Sequence, residues 1–388
     1  MVSNVRTRAS TAVRPLSRPA ATATPQMTRR PESDFRPAIK RLVDLGQPRP
    51  PVVDPGRIID AVKKAVQDLS AGFRQLHGIA SEYDPQLTAR AGIEGVLHTG
   101  TSWLEQNVPF IGRPVGELVD RLFNKPPPAA AWPSPPSPVL PDPALDGELS
   151  GSSYRSTDDL PLFGPNGPQL PGDIRQRGLG DCYFMASMAG LTPDQVKDMI
   201  RDNRDGTYTV RLYDVASDGA VTPTFVTVSG DLPSPPGADY GADGKWVAIV
   251  EKAYAAHLGS YDVAAGNNNP KFFAAPTVLT GRTTVAYALP ISDPDIVYQQ
   301  LAESTAEGRP AFAGFYGPDH DGLFGNHAYT VEGVRTDEHG NRYVTLRNPW
   351  GYGELGGDGT PKEGDDGIFE MPLEDFMKTY QAVAVAGG

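Results

Sequence analysis

The chain has a single cysteine among its 388 residues, Cys182, so it cannot form an internal disulfide. This excludes a disulfide-rich secreted scaffold, while a reducing compartment and a bacterial export route both stay open. The chain also lacks any run of the roughly eighteen apolar residues that a membrane helix needs, and its N-terminus lacks the apolar segment of a secretory signal. We therefore expect no membrane span, and either a cytoplasmic location or secretion by a non-classical route.

Positive charge is scarce beyond the first fifty residues. The net charge is −12, and residues 1–50 carry ten Lys or Arg against three acidic residues, which leaves about −19 for the rest. The negative charge of residues 51–388 disfavours nucleic acid as the main partner and is compatible with binding a divalent cation or a basic substrate. The sequence also lacks internal repeats and any D-x-[DN]-x-[DN]-G calcium loop.

Proline and glycine are abundant, with 39 and 42 residues, and their placement predicts four regions. Residues 1–54 are predicted to be a disordered basic tail, with a targeting signal as the alternative. Apolar residues at helical spacing predict a small all-α domain at 55–124, which could dock a partner. The proline-dense residues 125–155 predict an extended linker open to self-cleavage, with a motif for a proline-recognising partner as the alternative. Residues 156–388 are predicted to form one α+β domain.

Within residues 156–388 the apolar pattern predicts individual elements. The segment 182–200 is predicted to be helical with a break or restart at Pro193, and KWVAIVEKAYAAHLG is predicted to be a second helix. TYTVRLYD and TPTFVTVSG alternate apolar and polar residues, as strands do. Two further strands are predicted at 326–335 and 343–349.

The only cysteine lies in the segment QRGLGDCYF, directly ahead of an apolar run. At the N-terminus of a helix, the dipole and unpaired amides would favour a thiolate at Cys182, and the same amides could bind a substrate oxyanion. The side-chain amide of Gln176, six residues upstream, could complete that oxyanion hole. The alternative is a buried, inert thiol.

A nucleophilic thiol needs a base, and His327 differs from the other five histidines because it opens a predicted strand, GNHAYTVEGV. Asn348, in RNPWG at the end of the next strand, could fix the tautomer of that imidazole, with Trp350 as a shield from water. The order Cys, His, Asn, with about 145 residues between the first two, is the order of papain-like proteases. The alternatives are a core histidine at His327 and a turn cap at Asn348.

Five segments, QRGLGDCYF, WVAIVEKAY, GNHAYTVEGV, TLRNPWG and DGIFEMPLEDF, resemble in sequence and order the protease core of the calpain family. The resemblance runs from about residue 160 to the C-terminus. It implies a papain-like fold of two lobes, with Cys182 on the helical lobe, His327 and Asn348 on the β-rich lobe, and Gln176 in the oxyanion hole. The chain departs from the family pattern at Arg177 and Tyr183, where the family usually has glycine and tryptophan.

The resemblance also implies two calcium sites, because calpain-type cores depend on Ca²⁺. Asp173 and Glu251 match acidic ligands of the first site, and Glu354 and Asp366 match part of the second. Ile368 stands where the family has an acidic residue, which weakens the second site. An ion pair on a helix is the alternative role for Glu251.

The resemblance implies a calcium-modulated cysteine endopeptidase that hydrolyses internal peptide bonds of protein substrates through an acyl-enzyme thioester, and we expect a monomer. Two alternatives stay open. One is a binding or scaffold protein that keeps the fold without activity, and the other is an acyltransferase or deamidase that uses the same thiol.

Overall fold

The computed structural model describes residues 130–387 apart from 135, 217–219, 238–243, 267–271, 290–291, 320–321 and 354–364. The tail predicted at 1–54, the helical domain predicted at 55–124 and the first residues of the predicted linker lie outside the described residues. Among the helices that are described, none has the length and apolar character required to cross a bilayer.

Helices and strands are mixed along the described part of the chain. The α-helices are α1 (Cys182–Ala189), α2 (Pro193–Met199), α3 (Trp246–Leu258), α4 (Tyr261–Ala264), α5 (Ala275–Thr280), α6 (Pro294–Ala306) and α7 (Leu373–Thr379). The strands are β1 (Ser153–Arg155), β2 (Ile200–Asp202), β3 (Thr207–Val215), β4 (Val221–Ser229), β5 (Leu232–Ser234), β6 (Thr284–Ala288), β7 (Ala311–Phe315), β8 (His327–Thr336), β9 (Arg342–Arg347), β10 (Ile368–Pro372) and β11 (Ala382–Ala386). Two 3-10 helices span Gly147–Leu149 and Phe272–Ala274.

The predicted helices and strands of this region are confirmed. The helical segment at 182–200 divides into α1 and α2, and Pro193 is the first residue of α2, where a missing N–H costs nothing. The Thr192 side chain accepts a hydrogen bond from the Gln195 N–H, and the Gln195 side chain accepts one from the Thr192 N–H at 2.7 Å. This capping box explains why the chain restarts a helix there.

The strands form three antiparallel sheets. A six-stranded sheet has the order β10-β9-β8-β7-β11-β6, a three-stranded sheet has the order β2-β3-β4, and β1 pairs with β5. In the largest sheet, β8 pairs with both β7 and β9, and its register shifts between Val331 and Gly333. Strand β11 lies between β7 and β6, so it joins β6 to the rest of the sheet.

The six-stranded sheet separates two hydrophobic cores, because successive side chains of a strand point to opposite faces of the sheet. In β11 (AVAVA), Ala384 belongs to the core that contains α1 and α3, while Val383 belongs to the core that contains α6 and α7. In β8, Ala328 and Tyr329 divide in the same way. Small side chains on one face allow a helix to pack closely against it. The helix packed against β8 on this face is α1, which begins at Cys182.

Candidate active site

Cys182 is the first residue of α1, and 7% of its surface is exposed. All eight residues of this helix are buried, because each is apolar or small. The Thr330 hydroxyl on β8 donates a hydrogen bond of 3.1 Å to the carbonyl of Ala186 in the helix. This contact fixes α1 against the strand whose first residue is His327.

The loop before Cys182 is bound by backbone groups from several distant segments. Gly178 allows one close approach, since a Cβ atom there would lie 3.1 Å from the carbonyl oxygen of Pro236. The loop contacts are the N–H of Gln176 to the C=O of Pro349 (2.9 Å), Arg177 N–H to Gly237 C=O (2.7 Å), Gly178 N–H to Pro236 C=O (3.2 Å), and Gly266 N–H to Gly180 C=O (2.8 Å). The glycine-rich lead-in is therefore held in one conformation, which presents the cysteine at the helix start.

His327 and Asn348 are in contact, as the sequence predicts. The Nε2 atom of His327 lies 2.9 Å from Oδ1 of Asn348, and both residues are buried. The indole of Trp350 lies 4.6 Å from the imidazole ring, measured between centroids. Trp350 therefore covers the histidine, which is the position proposed for it as a shield from water.

The contact of Trp350 with Asn348 also determines which nitrogen of His327 carries a proton. The backbone N–H of Trp350 donates to Oδ1 of Asn348 at 3.1 Å, so this atom must be the amide oxygen. An oxygen that accepts from Trp350 can only accept from the imidazole, and Nε2 of His327 is therefore the protonated nitrogen. Nδ1 is left as the basic nitrogen of the ring.

The Cys182 sulfur lies beside the strand that carries His327. The backbone amide of Ala328, the residue after the histidine, is close to the sulfur, as are the amides of Tyr183 and of Cys182 itself. Burial raises the pKa of the thiol to about 12, the nearby Asp181 carboxyl adds to the rise, and the three amides lower the pKa in part. The resting cysteine is thus a neutral thiol.

The same burial acts on the base in the opposite direction. Burial lowers the pKa of His327 to about 4, and the hydrogen bond to Asn348 raises it in part. The resting pair is therefore an uncharged thiol and an uncharged imidazole in a site nearly closed to water. A thiolate arises only if the imidazole takes the proton of the thiol.

Gln176 is buried within the loop that carries the cysteine. Its Nε2 donates a hydrogen bond of 2.6 Å to the carbonyl of Leu179, and within the described residues its Oε1 has no hydrogen-bond partner. The side chain is thus fixed by the loop. One of the two N–H groups of the Gln176 amide makes this contact, and the other is the donor that the predicted oxyanion hole requires.

The first predicted calcium pair consists of carboxylates that already have other contacts. The Oδ2 atom of Asp173 accepts hydrogen bonds from the Gln169 N–H at 2.8 Å and from the Trp246 indole N–H at 2.7 Å. Glu251 is buried in α3, with 1% of its surface exposed. Burial first, and then the charge of Glu251, raises the pKa of Tyr261.

Of the second predicted pair, Glu354 lies outside the described residues. Asp366 is exposed, and its Oδ1 accepts a hydrogen bond of 3.0 Å from the N–H of Ile368. Within the described residues, no three His, Cys, Asp or Glu side chains are grouped closely enough to hold a metal ion. The assignment of these acidic residues to calcium therefore stays a prediction.

Three groups at the site were not foreseen from the sequence. They are the backbone N–H of Ala328, the backbone N–H of Trp350, and the side chain of Glu148, which accepts a hydrogen bond from the Gly180 N–H. Backbone donors have no sequence signal of their own. Glu148 lies in the proline-rich segment that we predicted to be a linker, and nothing in its surroundings indicates a contact with the cysteine loop.

Comparisons with known proteins agree with this geometry. The profile of the family described as calpain family cysteine protease matches residues 161–363. Calpain-8 of Rattus norvegicus is 28% identical over 254 residues, 55% of this chain and 35% of that protein. The calpain-type cysteine protease DEK1 of Arabidopsis thaliana is 29% identical over 256 residues, 57% of this chain and 12% of that protein. The calpain-2 catalytic subunit of Gallus gallus is 25% identical over 338 residues, 72% of this chain and 45% of that protein.

The chain thus spans less than half the length of each of these relatives. The matched region contains Cys182, His327 and Asn348, and it starts after the proline-rich segment at 125–155. It makes up more than half of the sequence, in which the motifs occur in the family's order. This protein belongs to the calpain family of cysteine proteases.

Proposed function

We propose that this protein is a cysteine endopeptidase that cleaves internal peptide bonds of protein substrates through Cys182, His327 and Asn348. The observation that carries the proposal is the hydrogen bond of 2.9 Å between His327 Nε2 and Asn348 Oδ1. This bond leaves Nδ1 basic on a residue whose neighbour, Ala328, contacts the cysteine sulfur. Family membership supports the same roles for the three residues.

Acylation begins when Nδ1 of His327 accepts the proton of the Cys182 thiol, so that the sulfur carries a negative charge and the imidazole a positive one. The thiolate forms a bond to the carbonyl carbon of the scissile peptide, and the carbonyl electrons move onto its oxygen. When this intermediate collapses, the C–N bond breaks. The departing nitrogen takes the proton from His327 Nδ1, and the acyl group stays on sulfur as a thioester.

Deacylation uses the same histidine in the reverse sense. Nδ1 removes a proton from water, and the oxygen of that water attacks the thioester carbon. The C–S bond then breaks, the carboxylic acid product leaves, and the sulfur recovers a proton from His327. Asn348 holds the imidazole in one orientation during both halves of the cycle, and it stabilises the positive charge that forms on the ring.

The negative oxygen of each intermediate needs donors that are already in place. The backbone N–H of Cys182 at the start of α1 and the second N–H of Gln176 are the groups that we assign to it. Gln176 suits this role because its amide is fixed by the Leu179 carbonyl. A donor that is held before the reaction does not need to reorganise when charge develops.

We further propose that the chain adopts the two-lobed papain-like arrangement. Two separate hydrophobic cores support this, one around α1 and α3 and one between the six-stranded sheet and helices α6 and α7. In this arrangement Cys182 belongs to the first lobe, and His327 and Asn348 belong to the second. The monomeric state, the location and the docking role of residues 55–124 stay predictions.

The steps above use only this chain's own residues, and modulation by calcium is tested separately in the assay. Activity is measured in a chelator and again on titration with Ca²⁺. A steep rise of activity with Ca²⁺ would support the predicted role of Asp173 and Glu251, and a flat response would contradict it.

The proposal is tested with purified full-length protein and a casein substrate. We expect cleavage by the wild type, and loss of detectable cleavage in Cys182→Ala and His327→Ala, because each variant removes a partner of the proton transfer. His257→Ala is a matched control, since His257 is half-buried and bonds only a surface carboxylate, Asp214, at 2.8 Å. The control should keep wild-type activity.

Mass spectrometry of the casein products separates the proposal from its alternatives. New peptide termini that depend on Cys182 support an endopeptidase. Conversion of glutamine to glutamate without new termini would point to a deamidase. Intact casein with a folded wild-type protein would contradict the proposed function and favour a binding role.

A further inference from the structure

The segment immediately upstream of the family-matched region is bound to the domain. We call residues 139–155 the N-terminal strap. Val139 forms a β-bridge with Thr227, and the N–H of Leu140 donates to the Thr227 carbonyl at 2.8 Å. Asp142 then forms an ion pair of 2.6 Å with the buried Lys252 of α3. The strap thus follows β4 and the face of α3.

The strap next crosses the end of α3 and reaches α4. Ala144 forms a β-bridge with Ser260, and Oδ1 of Asp146 accepts a hydrogen bond of 3.0 Å from the N–H of Asp262. Its last part, Ser153–Arg155, is β1, which pairs with β5. The strap therefore has anchors on both sides of the 3-10 helix Gly147–Leu149, and this helix has a fixed position.

The 3-10 helix lies against the loop that carries the nucleophile. Leu149 is 1% exposed, and its Cδ2 atom would be 3.5 Å from a Cβ atom placed on Gly178. Oε2 of Glu148 accepts a hydrogen bond from the N–H of Gly180, two residues before Cys182. The neighbouring loop amides of Gln176, Arg177 and Gly178 are bound by backbone carbonyls. The Gly180 amide differs because its acceptor is a side chain, that of Glu148, which a substitution can remove.

We propose that Glu148 is a positioning residue for Cys182, acting through the amide of Gly180. This inference deepens the proposed function and rests on it. Without the carboxylate, the Gly180 N–H loses its partner, and a glycine has little steric barrier to a new backbone conformation. Gly180 is adjacent to the residue that caps α1, so its rotation moves the start of the helix, and with it the sulfur and the oxyanion donors.

The charges near the loop agree with this role. Asp181 is fully buried, and within the described residues neither of its carboxylate oxygens has a hydrogen-bond partner. Burial raises the pKa of Asp181 well above its ordinary value, and the charge of Glu148 adds to the rise. Removing the Glu148 charge therefore removes the smaller of these two causes, while burial, the larger one, stays.

The experiment compares three substitutions of Glu148 in the full-length protein. Glu148→Ala removes the acceptor, Glu148→Asp keeps the charge but shortens the reach by one methylene, and Glu148→Gln keeps an oxygen at the same reach. Since Cys182 is the only cysteine, its alkylation by iodoacetamide can be followed by intact mass without interference. The rate of alkylation, kcat and KM on a casein-derived peptide, and the midpoint of thermal unfolding are measured for each variant.

We expect the Ala and Asp variants to lose about tenfold in alkylation rate and in kcat, with KM nearly unchanged, because misplacing a reacting group costs at least this much. Glu148→Gln should restore both rates to within about twofold, because a hydrogen bond to an amide oxygen replaces the original one. Asp146→Ala is the matched control, since it removes a strap contact that does not touch the loop. It should leave both rates unchanged.

Wild-type rates in both Glu148→Ala and Glu148→Asp would overturn the inference. An equal loss in Asp146→Ala would also overturn it, because the strap would then act only by general stabilisation. Failure of the proposed function has a different signature, namely a folded wild type that cleaves nothing. In that case the alkylation rates still report whether Glu148 positions the thiol.

Discussion

At the scale of single residues, the candidate active site combines two groups, Cys182 and His327, whose burial disfavours the charged forms that the proposed mechanism requires. The pKa of Cys182 is raised to about 12 and that of His327 is lowered to about 4, so each group alone resists becoming charged. Charging both together is less costly, because opposite charges attract strongly where water is excluded. The thiolate should therefore exist only together with the imidazolium, and their titration belongs to the pair.

This coupling predicts a distinct pH dependence for alkylation of Cys182. In the wild type the proton of the thiol moves to His327, so the rate should fall only as pH drops toward about 4, where His327 is already protonated. Between about pH 5 and 9 it should be nearly constant. In His327→Ala the thiolate forms only by ionisation, with a pKa of about 12, so the rate should rise about tenfold per pH unit over the same range.

The measurement is the rate of iodoacetamide addition at a series of pH values, read by intact mass. His257→Ala should follow the wild-type profile, since its imidazole lies at a different site. Parallel profiles for the wild type and His327→Ala would contradict the pairing of Cys182 with His327.

At the scale of secondary structure, the packing of α1 against β8 sets the position of Cys182 relative to His327. The two elements meet through small side chains, and the buried Thr330 hydroxyl donates to the Ala186 carbonyl at 3.1 Å. Thr330 faces the helix, and His327 opens the same strand three residues earlier. A change at this contact therefore affects both stability and the distance between the nucleophile and its base.

We expect Thr330→Val to lower the free energy of unfolding by about 1 to 2 kcal/mol, because it removes a buried hydrogen bond while keeping the shape of the side chain. Thr345→Val is the matched control on the neighbouring strand β9. Its hydroxyl makes a hydrogen bond of 3.3 Å to the carboxylate of Glu370 at the surface. The control should change the free energy by less than about 0.5 kcal/mol.

Urea denaturation followed by tryptophan fluorescence measures both values. A loss in Thr345→Val as large as that in Thr330→Val would show that the hydroxyl of the buried residue has no special part in holding α1.

Local sequence patterns predicted individual helices and strands, but they did not predict how the strands are arranged in the sheet. Strands β3, β4, β8 and β9 were predicted because their side chains alternate, and α3 was predicted because its apolar residues follow a helical period. The order of the six-stranded sheet was not predicted, since β11 pairs with β7 and β6, which are distant in sequence. The alanines of β11 look like weak strand residues until α5 is known to pack against this strand.

The residues of the candidate active site were also predicted only in part. Cys182, His327 and Asn348 stand in motifs with a family order, and the structure brings the last two into hydrogen-bond contact. The acidic residues were assigned by resemblance alone, and hydrogen bonds within the fold occupy Asp173 and Asp366. A motif fixes the type of a residue, but whether a carboxylate is available to a cation depends on its neighbours in space.

At the scale of the whole molecule, the second half of the proline-rich segment, which the composition predicts to be a linker, is bound to the domain that follows it. Proline removes the N–H donors that a regular sheet or helix requires, and so the composition predicts an extended chain. An extended chain can still lie along a surface and be held there by side chains. The ion pair between Asp142 and Lys252 is such a contact, and the Lys252 side chain is completely buried.

Asp142→Ala should lower the free energy of unfolding by about 2 kcal/mol, because it leaves the Lys252 ammonium buried with fewer oxygen partners. The Ser229 hydroxyl and the carbonyls of Ser229 and Asp231 still accept from Lys252, so the loss stays below that of a wholly unpaired charge. Glu374→Ala is a control of equal geometry, since Glu374 and Lys378 are also 2.6 Å apart but highly exposed. An exposed pair should contribute less than about 0.5 kcal/mol.

The same two variants test whether the strap protects itself from cleavage. A protease needs an extended substrate segment that can leave its surroundings, and the strap is extended but bound at both ends. Weakening the Asp142 anchor should therefore increase the rate at which thermolysin cuts within residues 139–155, while Glu374→Ala should not change it. N-terminal sequencing of the fragments locates the cuts. If Asp142→Ala leaves both the unfolding free energy and the cutting rate at wild-type values, the strap is not held by Lys252, and its position beside the cysteine loop must depend on the pairing of β1 with β5.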